Sequence, residues 1–265
     1  MGEMAESLTL EWSYTPPDFF EEPPECHGDG YVAEIGNGRI VAKVSSVPSG
    51  PIEGLAKEIR EQLETCFSSV QLFNSRPYEL SEHLVTRIRA DGTSVISVSA
   101  SLTAHACLKA EVEALDKDGR VIFSSKKKRA AEMKALVERA CAHLKNPVLR
   151  SLLKSYKASV DDPDNLFIHL YEIRDAMGKC FGHPTNACPI LGISKRKDWS
   201  RLGYLADEAP LRQGRHRGAN IGQLRDATPV EIDEARAITK RMIEGYINYL
   251  ESTGPARNPE GVVTN

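Results

Sequence analysis

The stretch from Pro210 to Ala235, PLRQGRHRGANIGQLRDATPVEIDEA, holds the residue types in this chain best suited to chemistry. Arg212, Arg215, Arg217 and Arg225 surround one histidine, His216, with Gly214, Gly218 and Gly222 between them. Glycine lets a backbone approach a ligand closely and present its N–H groups. A planar guanidinium matches phosphate oxygens in paired hydrogen bonds. Histidine accepts or donates a proton near neutral pH. These types at this spacing fit a phosphodiester. His216, Arg212 and Arg215 form the expected catalytic set, and Arg217 and Arg225 are further ligand contacts. The plainer reading is an ordered loop whose arginines pair with neighbouring carboxylates.

Charge distribution bears on the choice. The 265 residues carry a formal net charge of −3, which excludes a globally basic nucleic-acid binder. Between Lys195 and Arg225, however, eight Lys/Arg face three Asp/Glu, a local excess of five. A basic patch on an acidic body points to an anionic ligand at one place. Glu172 and Asp175 stand three apart on a helical run, away from its apolar stripe. They are expected to lie against the loop and orient its cations; the alternative is a solvent-facing helix with its own ion pairs. Trp199 and Tyr204 are candidates for base stacking or for core. The run Lys126–Arg129 is either a solvated lead-in or is held by acidic groups of the preceding domain.

Six cysteines stand at 26, 66, 107, 141, 180 and 188, none in a CxxC pair. Met1 to Leu10 has no apolar core for a signal peptide, and no apolar run reaches membrane-span length. Reduced thiols, a cytoplasmic location and no membrane are the expectation. Cys180, His183 and Cys188 give C-x2-H-x4-C, with only the distant His169 as a fourth ligand. A closed zinc site needs four, so structural thiols are expected, with no metal and no cofactor. The sequence holds no Walker loop, HExxH or GxSxG.

The elements that must position these residues change character along the chain. Residues 1–125 read as an α+β domain with an antiparallel sheet and one helix. SLTLEWSY alternates as a strand does, before the proline-rich TPPDFFEEPPE. Two strands flank Gly36-Asn37-Gly38, a hairpin signal. Ile52, Leu55, Ile59, Leu63 and Phe67 have helical spacing over 52–67. Strand-like runs follow in HLVTRIRA, TSVISVSASL, ACLKAEVEAL and RVIFSS, with turns at Asp91-Gly92 and Asp118-Gly119. From Lys126 the period becomes helical, so residues 126–252 read as a bundle and 253–265 as a flexible tail. Asp162-Pro163 is read as an N-cap and first helical position, opening a helix with the stripe Leu166, Leu170, Ile173, Met177. Thr228-Pro229-Val230-Glu231 is a capping box before the last helix, whose apolar face is Ile232, Ala235, Ile238, Met242, Tyr246 and Tyr249.

The helix succession of the bundle, with LFIHLYEIRDAMGKCFG, DWSRLGYLADEAPLRQGRHRG and DATPVEIDEARAITKRMIEGYINYL, resembles the HEPN-like helical domains of bacterial abortive-infection and toxin-type proteins. The resemblance covers roughly the last 130 residues. In that family four to six residues separate an arginine from a histidine; here three separate Arg212 from His216, and Arg215 adjoins it. The resemblance implies an RNA-directed protein, a metal-independent ribonuclease of defence or toxin type, and a homodimer. In that reading His216 assists the 2′-hydroxyl and Arg212 or Arg215 steadies the phosphate. The alternative is a non-catalytic module whose basic loop binds a phosphate-bearing ligand or a protein partner.

Overall fold

The computed structural model describes residues 7–45, 52–88, 94–97, 113–115, 121–220 and 222–253. The fold is α+β: an antiparallel sheet with one helix comes first, and a mostly helical region follows. Two compact units form, one from Met1–Val70 with Tyr78–Glu138 and one from Gln71–Pro77 with Arg139–Asn265.

In the first unit, Ser7–Thr15 (β1) buries Leu8, Leu10, Trp12 and Tyr14, the alternation a strand with one covered face requires. It pairs antiparallel with Arg39–Val44 (β4) and with Leu84–Ile88 (β6). Cys26–Gly28 (β2) and Tyr31–Gly36 (β3) extend the sheet beyond β4, and Ser94–Ser97 (β7) extends it beyond β6. Glu79–Leu80 (β5) adds two residues to the end of β1. The hairpin between β3 and β4 turns as expected, with Asn37 at φ 51° and Gly38 at φ 78°. Glu113–Leu115 (β8) and Val121–Ser124 (β9) form a separate two-stranded sheet. The turns expected at Asp91-Gly92 and Asp118-Gly119, Cys107 and the tail after Thr253 lie outside the described residues.

The helix Ile52–Asn74 (α1) runs past its expected end at Phe67. Its continuation contains Ser68, Ser69 and Gln71, all buried. The hydroxyls are satisfied locally: Ser69 donates to the Thr65 carbonyl at 2.7 Å and Ser68 pairs with the Tyr78 phenol at 2.9 Å. Polar residues bonded in this way fit a buried helix, and hydropathy alone does not reveal it. Phe67 stacks on Phe19 at 5.2 Å and meets Phe20, Tyr14 and Tyr78 edge-on or tilted. The proline-rich break therefore supplies two core aromatics. The helix Ser125–Ala142 (α2) includes the basic run, with Arg129 held by both carboxylate oxygens of Glu21, at 3.0 and 2.9 Å. Arg129 thus fits the acidic-partner alternative, while Lys128 faces Glu132 of its own helix at 3.9 Å. The period change read at 125/126 coincides with the start of α2, while the division into units falls inside it, between Glu138 and Arg139.

In the second unit Pro147–Asp161 (α3) starts where Asn146 accepts the Leu149 N–H at 2.9 Å. Leu166–Phe181 (α4) packs on α3 and buries the expected stripe of Leu166, Leu170, Ile173 and Met177. Asp162 and Pro163 take the expected N-cap and first positions, but of a 3-10 turn and without a capping bond from the side chain. The Asp162 side chain caps nothing; it accepts from Asn165 Nδ2 at 2.7 Å and faces His169 Nε2 at 3.3 Å. A 3-10 turn, Pro163–Asn165, intervenes. Pro184–Leu191 (α5) is followed by two π-helical turns, Lys195–Ser200 and Tyr204–Glu208, around the single turn Arg201–Gly203 (α6). Pro229–Thr253 (α7) closes the unit, with α4 and α5 both packed on it. At Gly245 the packing is close enough that a Cβ would stand 2.2 Å from the Leu191 carbonyl oxygen. Among the described residues no helix is long and apolar enough to cross a membrane.

Candidate functional site

The basic loop leaves the second π turn and returns to α7 through a closed neck. Leu211 and Arg225 form a parallel bridge, with Arg212 N–H donating to the Arg225 carbonyl and Arg225 N–H to the Pro210 carbonyl, both at 3.0 Å. Gln213 fastens the middle. Its carbonyl accepts the Phe167 N–H at 3.3 Å, in the first turn of α4. Its side chain accepts from Ala227 N–H at 3.1 Å and donates to Asp226 at 3.3 Å. Gly214 is needed for the close approach: a Cβ there would sit 3.2 Å from the carbonyl oxygens of both Ala206 and Leu211.

The expected site residues are distributed as follows. Arg212 is 64% exposed and 3.9 Å from Asp226. Arg215 donates to Asp207 Oδ1 at 3.1 Å and lies 4.0 Å over the ring of Tyr171. His216, 59% exposed, faces the same Asp207 oxygen at 3.6 Å. Arg217 reaches back to the start of α4, donating to the Gly214 carbonyl at 3.0 Å, the Asp164 carbonyl at 2.8 Å and the Asn165 side chain. Arg225 grips Glu231 with two parallel bonds, at 2.8 and 2.6 Å. That contact holds the Glu231 carboxyl far below its ordinary value, at about 2, against the opposing effect of its own burial. Glu231 also completes the expected capping box, accepting the Thr228 N–H at 2.9 Å while Thr228 Oγ1 accepts the Glu231 N–H at 3.2 Å.

Glu172 and Asp175 are engaged elsewhere. Glu172 accepts from Ser155 at 3.0 Å and faces His169 at 3.9 Å; Asp175 pairs with Lys179 at 2.9 Å. The carboxylates that do hold the loop are Asp207, Asp226 and Glu231. Sequence reasoning overlooked Asp207 because a π turn and a loop reversal, rather than helical spacing, bring it to Arg215. The stretch Tyr171–Asp175 does meet the loop, but through Tyr171, whose ring carries Arg215 and also Arg174 at 4.8 Å. Arg174 donates to the Trp199 carbonyl at 3.1 Å and lies 5.1 Å over the Trp199 ring. Trp199 is buried, hence core, whereas Tyr204 is 44% exposed.

The electrostatic outcome is a loop whose arginines are each bonded to or paired with the protein. Lys195, Arg196 and Lys197, at the far end of the same 195–208 segment, are exposed and have no carboxylate partner among the described residues. Among the described residues His216 has one charged partner, Asp207, and Arg215 is committed to the same carboxylate and to Tyr171.

The C-x2-H-x4-C residues do other work. His183 caps α5, accepting the Thr185 N–H through Nδ1 at 3.3 Å. Cys188 is buried, and burial pushes the thiols of Cys180 and Cys188 up. Among the described residues no three His, Cys, Asp or Glu side chains group as metal ligands. In the first unit, a cavity of about 100 Å³ lined by Pro23, Pro24, Ala130, Met133 and Val137 has room for little more than a few water molecules. No family model, curated protein or solved structure matches this chain.

Proposed function

We propose that the second unit is an RNA-directed, HEPN-like binding module that engages phosphate without cutting the chain. One observation carries the reading: among the described residues Lys195, Arg196 and Lys197 stand exposed without a carboxylate partner, on the 195–208 segment that leads into a loop whose own arginines are tied down. Unpaired surface cations attract a polyanion and release its counterions. A ribonuclease needs a guanidinium free to steady the phosphate beside its proton carrier. Arg215 and Arg217 hold protein groups instead, and Arg212 turns toward Asp226. On this reading the loop is a stiff wall that sets the shape of the surface, and the 195–197 run supplies its field.

The test is anisotropy of a labelled single-stranded RNA over a salt series, in EDTA, with the RNA recovered on a gel. Binding should weaken steeply with salt and the RNA should stay whole. Replacing Lys195, Arg196 and Lys197 together by alanine should flatten the salt slope by about 0.7 for each phosphate no longer neutralised. Chelation-resistant cleavage that disappears in His216→Ala would replace this reading with the ribonuclease. No binding at low salt would remove both. The HEPN resemblance also implies a homodimer, and a monomer mass by light scattering at micromolar concentration would refute that part.

A further inference from the structure

We infer that Tyr204 is a stacking platform for an unpaired base of the bound strand, flanked by Arg201 as a phosphate contact; this rests on the phosphate-binding reading above. Tyr204 is 44% exposed, while Trp199, one turn earlier, is buried. A single exposed aromatic is ordinary on a protein surface. This one has unusual surroundings. The Arg201 guanidinium lies 5.5 Å over its ring. Arg201 is fixed there by Glu234, which accepts from Nε at 3.0 Å and Nη2 at 2.8 Å. A guanidinium has five N–H donors. Arg201 spends Nε and Nη2 on its glutamate, so Nη1 retains donors for a phosphate oxygen. Lys197, exposed and without a carboxylate partner among the described residues, stands four positions before Arg201 and adds a second cation along the segment.

The backbone at this point is also distinctive. Ala209 N–H donates to the Tyr204 carbonyl at 2.8 Å, the bond of a π turn, and the Trp199 N–H does the same to Ser194 at 3.1 Å. Such widened turns cost helical regularity and concentrate at functional sites. An exposed ring beside a fixed cation is an arrangement that holds single strands, because every base has a π face whatever its sequence. Sequence-tolerant stacking, rather than edge-reading, follows for this surface.

The experiment compares the full chain with Tyr204→Ala and Tyr204→Phe on a short single-stranded RNA. A second oligomer has the same length and charge but abasic riboses. Tyr204→Ala should lower affinity for the normal strand on the order of tenfold and leave the salt slope unchanged, since no charge is removed. Tyr204→Phe should retain affinity. The abasic strand should bind the parent as weakly as the normal strand binds Tyr204→Ala, and Tyr204→Ala should not distinguish the two strands. Equal affinity of Tyr204→Ala and the parent for the normal strand overturns the platform, and salt-dependent binding by the parent would then leave the phosphate reading standing. The same equality with a changed oligomeric mass in Tyr204→Ala also overturns it and makes Tyr204 a protein contact. Absence of binding by the parent overturns both.

Discussion

Replacing Glu231 by glutamine separates two roles of one side chain. Glu231 closes the capping box of α7 through Thr228 and anchors Arg225, which in turn closes the neck of the basic loop. Glutamine can still accept the Thr228 N–H in a capping box, so the substitution removes the charge and spares most of the cap. The displacement of the carboxyl from its ordinary 4.5 to about 2 sets a ceiling of roughly 3 kcal/mol, at about 1.4 kcal/mol per pH unit. The Arg225 side chain is 47% exposed, and solvent screening lowers the expected loss at pH 7 to about 1–2 kcal/mol. Because the folded-state value is depressed, this stabilisation is complete well above pH 4.5 and is lost as pH falls toward about 2. Urea unfolding followed by far-ultraviolet circular dichroism, run on parent and Glu231→Gln at pH 7 and pH 3, measures it. With the screened value, the gap between the two proteins should shrink to roughly a tenth to a fifth of its neutral value at pH 3. A gap of equal size at both values would show that the effect is not electrostatic and would sink the reasoning. Glu231→Ala, which loses the cap as well, should cost about 1 kcal/mol more than Glu231→Gln at either pH.

Further outcomes follow from individual side chains. Gly245→Ala forces a Cβ against the Leu191 carbonyl and should lower stability by about 1–3 kcal/mol; an unchanged Tm would mean that α5 shifts freely. Arg217→Ala removes the bonds from the loop to Gly214, Asp164 and Asn165. Protease should then cleave between residues 211 and 225 faster than in the parent, and equal rates would argue against Arg217 as the fastener. Burial pushes the Cys26 thiol up to about 11. In the folded protein at pH 8, Cys26 should therefore resist alkylation while the half-exposed Cys141 reacts; peptide mass spectrometry that found Cys26 labelled first would contradict the packing of β2.

The sequence by itself determined those features that local physics decides. Alternation in SLTLEWSY, the Asn37-Gly38 turn, the stripe on α4 and the Thr228–Glu231 box each rest on a period or a cap that neighbours in the chain complete. Composition also located the charge excess near Lys195–Arg225. What the sequence left open was pairing. Arg215 was legible as a cation, but its partners are Asp207, across a loop reversal, and Tyr171, on another helix. Glu172 and Asp175 had a suitable spacing and chose Ser155 and Lys179 instead. Asp162 had the right type and place for a cap and went to Asn165 and His169. Trp199 and Tyr204 were equivalent candidates until the π turns placed one in the core and left the other exposed. An ion pair or a buried ring depends on which side chains arrive within a few ångströms after packing. That distance is set by helix crossings and loop closure, which no local pattern encodes.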